Sequence, residues 1–242
     1  MILDLQRHRI SRLIRHMAQP KAWGEFDRFS PRPALERVLN TCRLAGFPNL
    51  KPIFKLDLDP ELRERSACIL QNQGWDGKTK LVLLNPAGLW ATRNWPLARY
   101  EELAALWSEM EPVIFLFVGT SRISAKVRYL ADRQIGRIID LTGKTSLAEA
   151  LGIVQHASIV VSEDSGLLHM AWVSGIPTVA LFGSTRSDWT HPLGRRSRFV
   201  GSEDLACGAC MQATCKFGDV HCLSRYSAEA ILRLARQAEQ IS

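Results

Sequence analysis

No stretch of the 242 residues approaches the ~18 consecutive apolar residues that a membrane-spanning helix needs; the longest apolar run, residues 112–119, is strand-sized. No secretory leader opens the chain, because Arg7, Arg9, Arg12 and Arg15 interrupt the place where its apolar core would lie. Together these absences predict a cytoplasmic protein. Neither G-x-G-x-x-G nor a Walker A loop ending in Gly-Lys-Ser/Thr occurs, which excludes the commonest dinucleotide and triphosphate loops. Helix-turn-helix and RNP-type patterns are also missing, so nucleic acid is not the expected partner. Compositional extremes are lacking too. With 46% hydrophobic and 23% charged residues the chain is not collagen-like, disordered or a disulfide miniprotein. Its length suffices for a sizeable core without staples, in one to two domains.

What is present begins with charge. The net charge is +7, and residues 1–74 hold 13 Lys and Arg against 8 Asp and Glu, compared with 18 against 16 in the remainder. A basic excess near the N-terminus fits contact with an anion such as an acidic glycolipid or a phospholipid headgroup. Ordinary solubilising charge is the alternative.

The pattern along the chain divides at residues 74–80, a polar linker. Before it, residues 2–6 read as the end of a strand. Ile10, Leu13, Ile14 and Met17 recur at helical spacing over residues 7–17, with arginines opposite. Residues 19–34, with Pro20, Pro31 and Pro33, read as loop. A helix is expected over 33–45, ended by Gly46, and an extended stretch over 51–60. Asp59-Pro60-Glu61 then opens a helix reaching Asn72, with Asp as N-cap and Pro in the first turn. After the linker, apolar runs at 81–85, 113–118, 137–141, 158–162, 178–182 and 198–200 alternate with helical stretches. Ser146-Leu-Ala-Glu149 fits a capping box, and 227–239 is a closing amphipathic helix. Continuous apolar strands alternating with helices predict a parallel sheet covered on both faces, a Rossmann-like α/β domain.

In such a sheet ligands bind beyond the carboxyl ends of the strands, so three loops carry the chemistry. In residues 85–96, Gly88 allows close backbone approach, Thr92 offers a hydroxyl, and Arg93 carries a planar fork suited to phosphate oxygens. A solvated surface arginine is the competing reading. In residues 162–169, Ser165 and Gly166 open a helix whose free N–H groups favour a pyrophosphate; Asp164 suits sugar hydroxyls, and His169 lies one turn on. An Asp/Ser cap with a packed histidine would read the same. Residues 182–185 are a weaker third signal.

These loops, in this order, resemble glycosyltransferase family 9, the ADP-heptose:lipopolysaccharide heptosyltransferases. The resemblance rests on Asn85-Pro86-Ala87-Gly88 with Thr92-Arg93-Asn94-Trp95-Pro96, on residues 162–171, and on Gly175-Ile176-Pro177 through Thr185. It covers residues 80–235 well and 1–75 loosely. It implies a GT-B architecture: a complete C-terminal Rossmann-like domain over 77–242, binding the nucleotide sugar, and a partial acceptor-side domain over 1–76. It implies inverting, metal-independent transfer of a heptose from an ADP-sugar to the lipid A–core oligosaccharide, with no cofactor, and peripheral contact with the inner face of the cytoplasmic membrane. By position, Arg93 stands where the family has a lysine facing the donor phosphates and is the expected catalytic group. Asp164 matches the aspartate on donor sugar hydroxyls, Ser165 a threonine that with Gly166 meets the pyrophosphate, His169 the neighbouring histidine, and Thr145 the place where adenine is held. Gly88 and Thr92 complete the donor site.

Three departures accompany the resemblance. Arg93 replaces lysine. Thr120-Ser121-Arg122 follows Gly119 without an acid for the ribose hydroxyls. The glycine-aspartate turn that supplies the family's general base is expected before Met1, and Asp4 is not that residue by position. A truncated, non-catalytic nucleotide-sugar-binding protein is therefore the alternative function. Of six cysteines, Cys42 and Cys68 read as lone, buried thiols. Cys207, Cys210, Cys215 and Cys222 cluster at C-x2-C-x4-C-x6-C spacing, open to reduced thiols, a structural zinc or disulfides. The resemblance implies no catalytic metal.

Overall fold

The computed structural model describes residues 1–30, 32–54 and 56–241. Pro31, read above as a loop proline, and Lys55, in the expected extended stretch, lie outside the described residues, as does Ser242. The chain forms two compact units, one of Met1–Ile53 with Asp188–Thr190, the other of Phe54–Ser187 with His191–Ser242. The division falls between Ile53 and Phe54 rather than in the polar stretch at 74–80. No described helix is long and apolar enough to cross a membrane.

In the first unit, β1 (Ile2–Asp4), α1 (Arg9–Ala18) and β2 (Trp23–Glu25) form a small parallel βαβ turn, followed by α2 (Ala34–Leu44). β2 lies in the segment expected to be loop; three residues are too few for an alternation to register. Gly24 is required there, because a methyl group would overlap the Thr41 carbonyl of α2. Buried Asp4 turns the chain into α1. Its Oδ1 accepts from the Gln6 and Arg7 amides at 3.1 and 2.9 Å, and its Oδ2 from Ser11 Oγ at 2.7 Å. The arginines of this region are largely committed: Arg7, Arg12 and Arg15 reach the Glu25 carboxylate at 2.8, 3.1 and 2.8 Å. The apolar stripe of α1, Ile10, Leu13, Ile14 and Met17, is more than half exposed at every position.

The second unit opens with α3 (Pro60–Asn72), capped by Asp59 as its sequence requires, with Oδ1 accepting from the Glu61 amide at 2.9 Å. Then follow β3 (Lys80–Asn85), α4 (Leu97–Met110), β4 (Val113–Gly119), α5 (Ser124–Asp132), β5 (Ile138–Thr142), α6 (Leu147–Val154), β6 (Ile159–Glu163), α7 (Gly166–Val173) and β7 (Thr178–Leu181). The one-turn α8 (Ser187–Thr190), whose residues 188–190 belong to the first unit, is followed by β8 (Ser197–Val200), the one-turn α9 (His221–Ser224) and α10 (Ala228–Glu239). The six strands form one parallel sheet in the order β5-β4-β3-β6-β7-β8, with Leu83 opposite both Leu116 and Val160.

Alternation along the strands sends successive side chains to opposite faces. Val82 and Leu84 of β3, with Phe115 and Phe117 of β4, pack against α4 and α10. Leu81 and Leu83, with Ile114 and Leu116, face α6 and Leu70 of α3. Burial on both faces explains why these strands read as unbroken apolar runs. It also explains the unit boundary: Gly152 of α6 lies so close to Ser66 of α3 that a methyl group there would overlap Ser66 Oγ. α3 thus belongs to the sheet that follows it.

Candidate functional site

Renumbered from its first strand, the sheet order is 3-2-1-4-5-6, and connections leave in opposite directions from β3 and β6. The crevice at such a reversal, beyond the carboxyl ends of the two strands, is where a doubly wound sheet can admit a ligand. A cavity of about 740 Å³ lies there.

Its floor is tied together by Asn85, the last residue of β3. Asn85 Nδ2 donates to Ser162 Oγ and Ser165 Oγ, both at 2.8 Å. The loop 86–95 that follows is held by a side chain from the neighbouring strand end. Glu163, fully buried, accepts from the Gly88 amide at 2.5 Å, the Trp95 amide at 2.7 Å and the Tyr100 hydroxyl at 3.3 Å. Lys126 of α5 closes the other side, donating to Pro86 O at 2.7 Å and Asn94 Oδ1 at 2.5 Å, with its Nζ 3.9 Å from Glu163 Oε2. Gly88 is dictated by crowding, since a Cβ would stand 2.5 Å from Arg93 O. Burial pushes the Glu163 carboxyl up to about 7, against the pull of Lys126 and the amides it accepts from. Burial pulls the Lys126 ammonium below its ordinary value, partly offset by Glu163.

Of the residues expected at the site, Gly88, Thr145, Ser165 and Gly166 line this cavity. Ser165 is the N-cap of α7, its Oγ accepting from the Leu168 amide at 3.4 Å. Gly166 is exposed, and a methyl group there would meet nothing within 4 Å. The rest are placed differently. Arg93 Nη2 pairs with Asp164 Oδ2 at 2.8 Å and also donates to the Asp164 carbonyl, while Thr185 Oγ1 donates to the same Oδ2 at 2.7 Å. Arg93 and Asp164 therefore satisfy each other, with Arg93 Nε buried and unpartnered. His169 Nδ1 accepts from Trp172 Nε1 at 3.0 Å, which places a neutral ring's proton on Nε2. Burial lowers its pKa, while Asp164 raises it. Thr92 is buried, with its Oγ1 2.8 Å from Ser184 Oγ and donating to Gln212 O at 2.6 Å.

Thr92 and Ser184 belong instead to a second cavity of about 610 Å³, one wall of which is the loop carrying Cys207, Cys210, Cys215 and Cys222. All six cysteines are free thiols, Cys68 exposed and Cys42 half-buried where both were expected to be buried, and among the described residues no three His, Cys, Asp or Glu side chains gather in a way that could hold a metal ion. Cys222 Sγ contacts Thr92 O at 3.7 Å; burial raises its thiol pKa, and Cys215 adds to the shift.

Sequence reasoning missed Glu163, Lys126 and the position of Arg122 on the cavity wall. A signal existed for the first: an acid ending a strand that runs through Ile159, Val160 and Val161 is buried by its neighbours. Lys126 had none, being one cation among several on an ordinary amphipathic helix.

The family model described as glycosyltransferase family 9 (heptosyltransferase) matches residues 31–221. The chain is 24% identical to the lipooligosaccharide heptosyltransferase 2 of Campylobacter jejuni over 230 residues, 93% of this chain and 70% of that one. It is 28% identical to the lipopolysaccharide heptosyltransferase 1 of Pseudomonas aeruginosa over 216 residues, 88% of this chain and 55% of that one. The crystal structure of the glycosyl transferase family 9 protein of Veillonella parvula superposes with a TM-score of 0.77 at 20% identity, covering 90% of this chain and 62% of that one. The fold is accordingly of GT-B type. The chain spans between 55% and 70% of the length of these three proteins.

Proposed function

The chain belongs to glycosyltransferase family 9, the heptosyltransferases, and from that premise we propose that its second unit binds the nucleotide-sugar donor of a heptosyl transfer to the lipopolysaccharide core. The observation that carries this reading is the cavity at the strand reversal. It is lined by Gly88, Thr145, Ser165 and Gly166 with two cations, Arg122 and Lys126, and by no carboxylate among the described residues. A nucleoside diphosphate suits that chemistry: cations and the free amides opening α7 would meet its phosphates, and Thr145 and Leu147, which line the same cavity, would face the base.

In the reaction so proposed, an acceptor hydroxyl attacks the anomeric carbon of an ADP-heptose and inverts it. The bond from that carbon to the diphosphate oxygen breaks, and its electron pair stays with the phosphate. Charge then grows on the leaving diphosphate, where preorganised donors act most strongly. Arg122, Lys126 and the α7 amides would supply that stabilisation from the chain itself, so the reading calls for no metal. The acceptor would be the lipid A–core oligosaccharide, met at the inner face of the cytoplasmic membrane.

The hydroxyl proton must pass to a base, and neither a carboxylate nor an imidazole lines the cavity among the described residues. That observation favours, as a second reading, binding of the nucleotide sugar without transfer. Calorimetric titration with ADP, UDP and GDP tests the donor site common to both. ADP binding is expected; a folded sample that binds none of the three refutes both readings. Transfer of heptose from ADP-heptose to a core acceptor then separates them.

A further inference from the structure

Arg122 lies in a short 3-10 turn (Ser121–Ile123) that leaves the carboxyl end of β4. Its side chain is exposed and lines the crevice. It makes no hydrogen bond or ion pair with any described residue. The other cation of the wall, Lys126, is already donating to Pro86 O and Asn94 Oδ1. Arg122 is thus the cation of the crevice whose donors are uncommitted.

Its place in the fold gives that freedom a meaning. β4 is the strand next to the switch-point strand β3, on the side away from β6. In doubly wound nucleotide-binding sheets the end of this strand faces the ribose. A carboxylate there accepts from the ribose hydroxyls, whereas an arginine accommodates a phosphate. Here Thr120, Ser121 and Arg122 follow Gly119, and no Asp or Glu lines the cavity among the described residues. The wall can donate to an anion at that position and has no carboxylate to accept from a sugar hydroxyl.

We propose that Arg122 is a specificity-determining residue of the crevice, its guanidinium engaging a phosphate of the bound nucleotide in place of a ribose-hydroxyl contact. The inference rests on the crevice being a nucleotide site. A guanidinium fork matches two phosphate oxygens, which an ammonium does not. The phosphate is either the β-phosphate of the 5′-diphosphate or a phosphate carried on the ribose, and the two sources make different demands on the ligand.

The test is calorimetric titration of the full chain and of Arg122→Gln and Arg122→Lys with AMP, ADP, 2′-deoxy-ADP and adenosine 2′,5′-bisphosphate. Arg128→Gln, an exposed change on α5, the helix that follows the turn, is the control. In the unsubstituted chain ADP or the bisphosphate is expected to bind about tenfold or more tightly than AMP, and 2′-deoxy-ADP within about twofold of ADP. Arg122→Gln abolishes the gain over AMP, Arg122→Lys recovers only part of it, and Arg128→Gln leaves it intact. A gain seen with ADP assigns the diphosphate, and one seen with the bisphosphate assigns a ribose phosphate. The proposal is overturned if Arg122→Gln binds every ligand as the unsubstituted chain does, or if removing the 2′-hydroxyl costs about tenfold, since another group then reads the ribose. In either case ADP still binds and the donor-site reading survives. Absence of any nucleotide binding overturns both.

Discussion

Arg93 Nη2 stands 2.8 Å from Asp164 Oδ2, so the two residues with the most ligand-like chemistry in their loops are each other's partners. Both side chains are largely shielded, at 16% and 12% exposure. Thr185 Oγ1 completes the group on the same carboxylate oxygen. The pair joins the loop after β3 to the loop after β6 across the strand reversal. A ligand that engages either residue competes with this contact.

Energetic coupling between these two residues follows. Arg93→Ala leaves Asp164 with Thr185 alone, and Asp164→Asn removes the charge that Arg93 faces. In urea unfolding the double variant should lose less than the sum of the single losses, with a coupling of about 1 kcal/mol, because the pair is shielded but not sealed from solvent. Additive losses would mean that the contact does not hold the two loops together.

Helix packing gives a second prediction. A methyl group at Gly152 would overlap Ser66 Oγ, with Leu62 O behind it at 3.4 Å. Gly152→Ala should force α3 and α6 apart and destabilise the second unit by about 2 kcal/mol, the usual cost of overpacking. Adding Ser66→Ala removes the overlapping oxygen and should recover part of the melting temperature. If Gly152→Ala melts with the unsubstituted chain, α3 is not packed on α6 as described.

Much of this architecture is legible in the sequence, for a physical reason. β3, β4 and β6 are buried on both faces, so they appear as unbroken apolar runs, and Asp59 and Ser146 announce the helices they cap. The unit boundary is not legible, because the polar linker at 74–80 is local whereas the α3–α6 contact that overrides it joins residues far apart. β2 is too short to leave a pattern. At the site, Gly88, Ser165 and Gly166 were readable because backbone chemistry decides their place. The mutual capture of Arg93 and Asp164 and the inward reach of Lys126 depend on tertiary geometry that no spacing encodes.

The cap of α6 can be weighed directly. Ser146 Oγ accepts from the Glu149 amide at 3.2 Å, while the Glu149 carboxylate accepts from the Ser146 amide at 2.9 Å. Ser146→Ala is expected to lower the unfolding free energy by about 1 kcal/mol, and Ser146→Asp, which keeps an acceptor, by much less. Because Ser146 and Leu147 line the crevice, a frayed α6 should also weaken ADP. An alanine variant with unchanged stability would show that the capping box contributes nothing.

Glu163 gives the chain a defined pH response. Its carboxyl titrates near 7 in the folded protein, because burial disfavours its charge, against an ordinary value of 4.5 in the unfolded chain. The folded state therefore binds the proton more tightly. The stability from this difference is fully present below pH 4.5, falls as pH rises toward 7, and is gone above it, an effect of about 3 kcal/mol for a shift of this size. Glu163→Gln removes the titration while still offering an oxygen to one of the Gly88 and Trp95 amides. Its unfolding free energy should lack the loss that Glu163 imposes on the unsubstituted chain as pH rises from 4.5 to 7, and should cross above that of the unsubstituted chain at the alkaline end. Glu163→Ala instead strands both amides and should be destabilised at every pH, by about 3 kcal/mol. A glutamine variant whose pH profile parallels that of the unsubstituted chain would assign the titration to another group and leave Glu163 charged throughout.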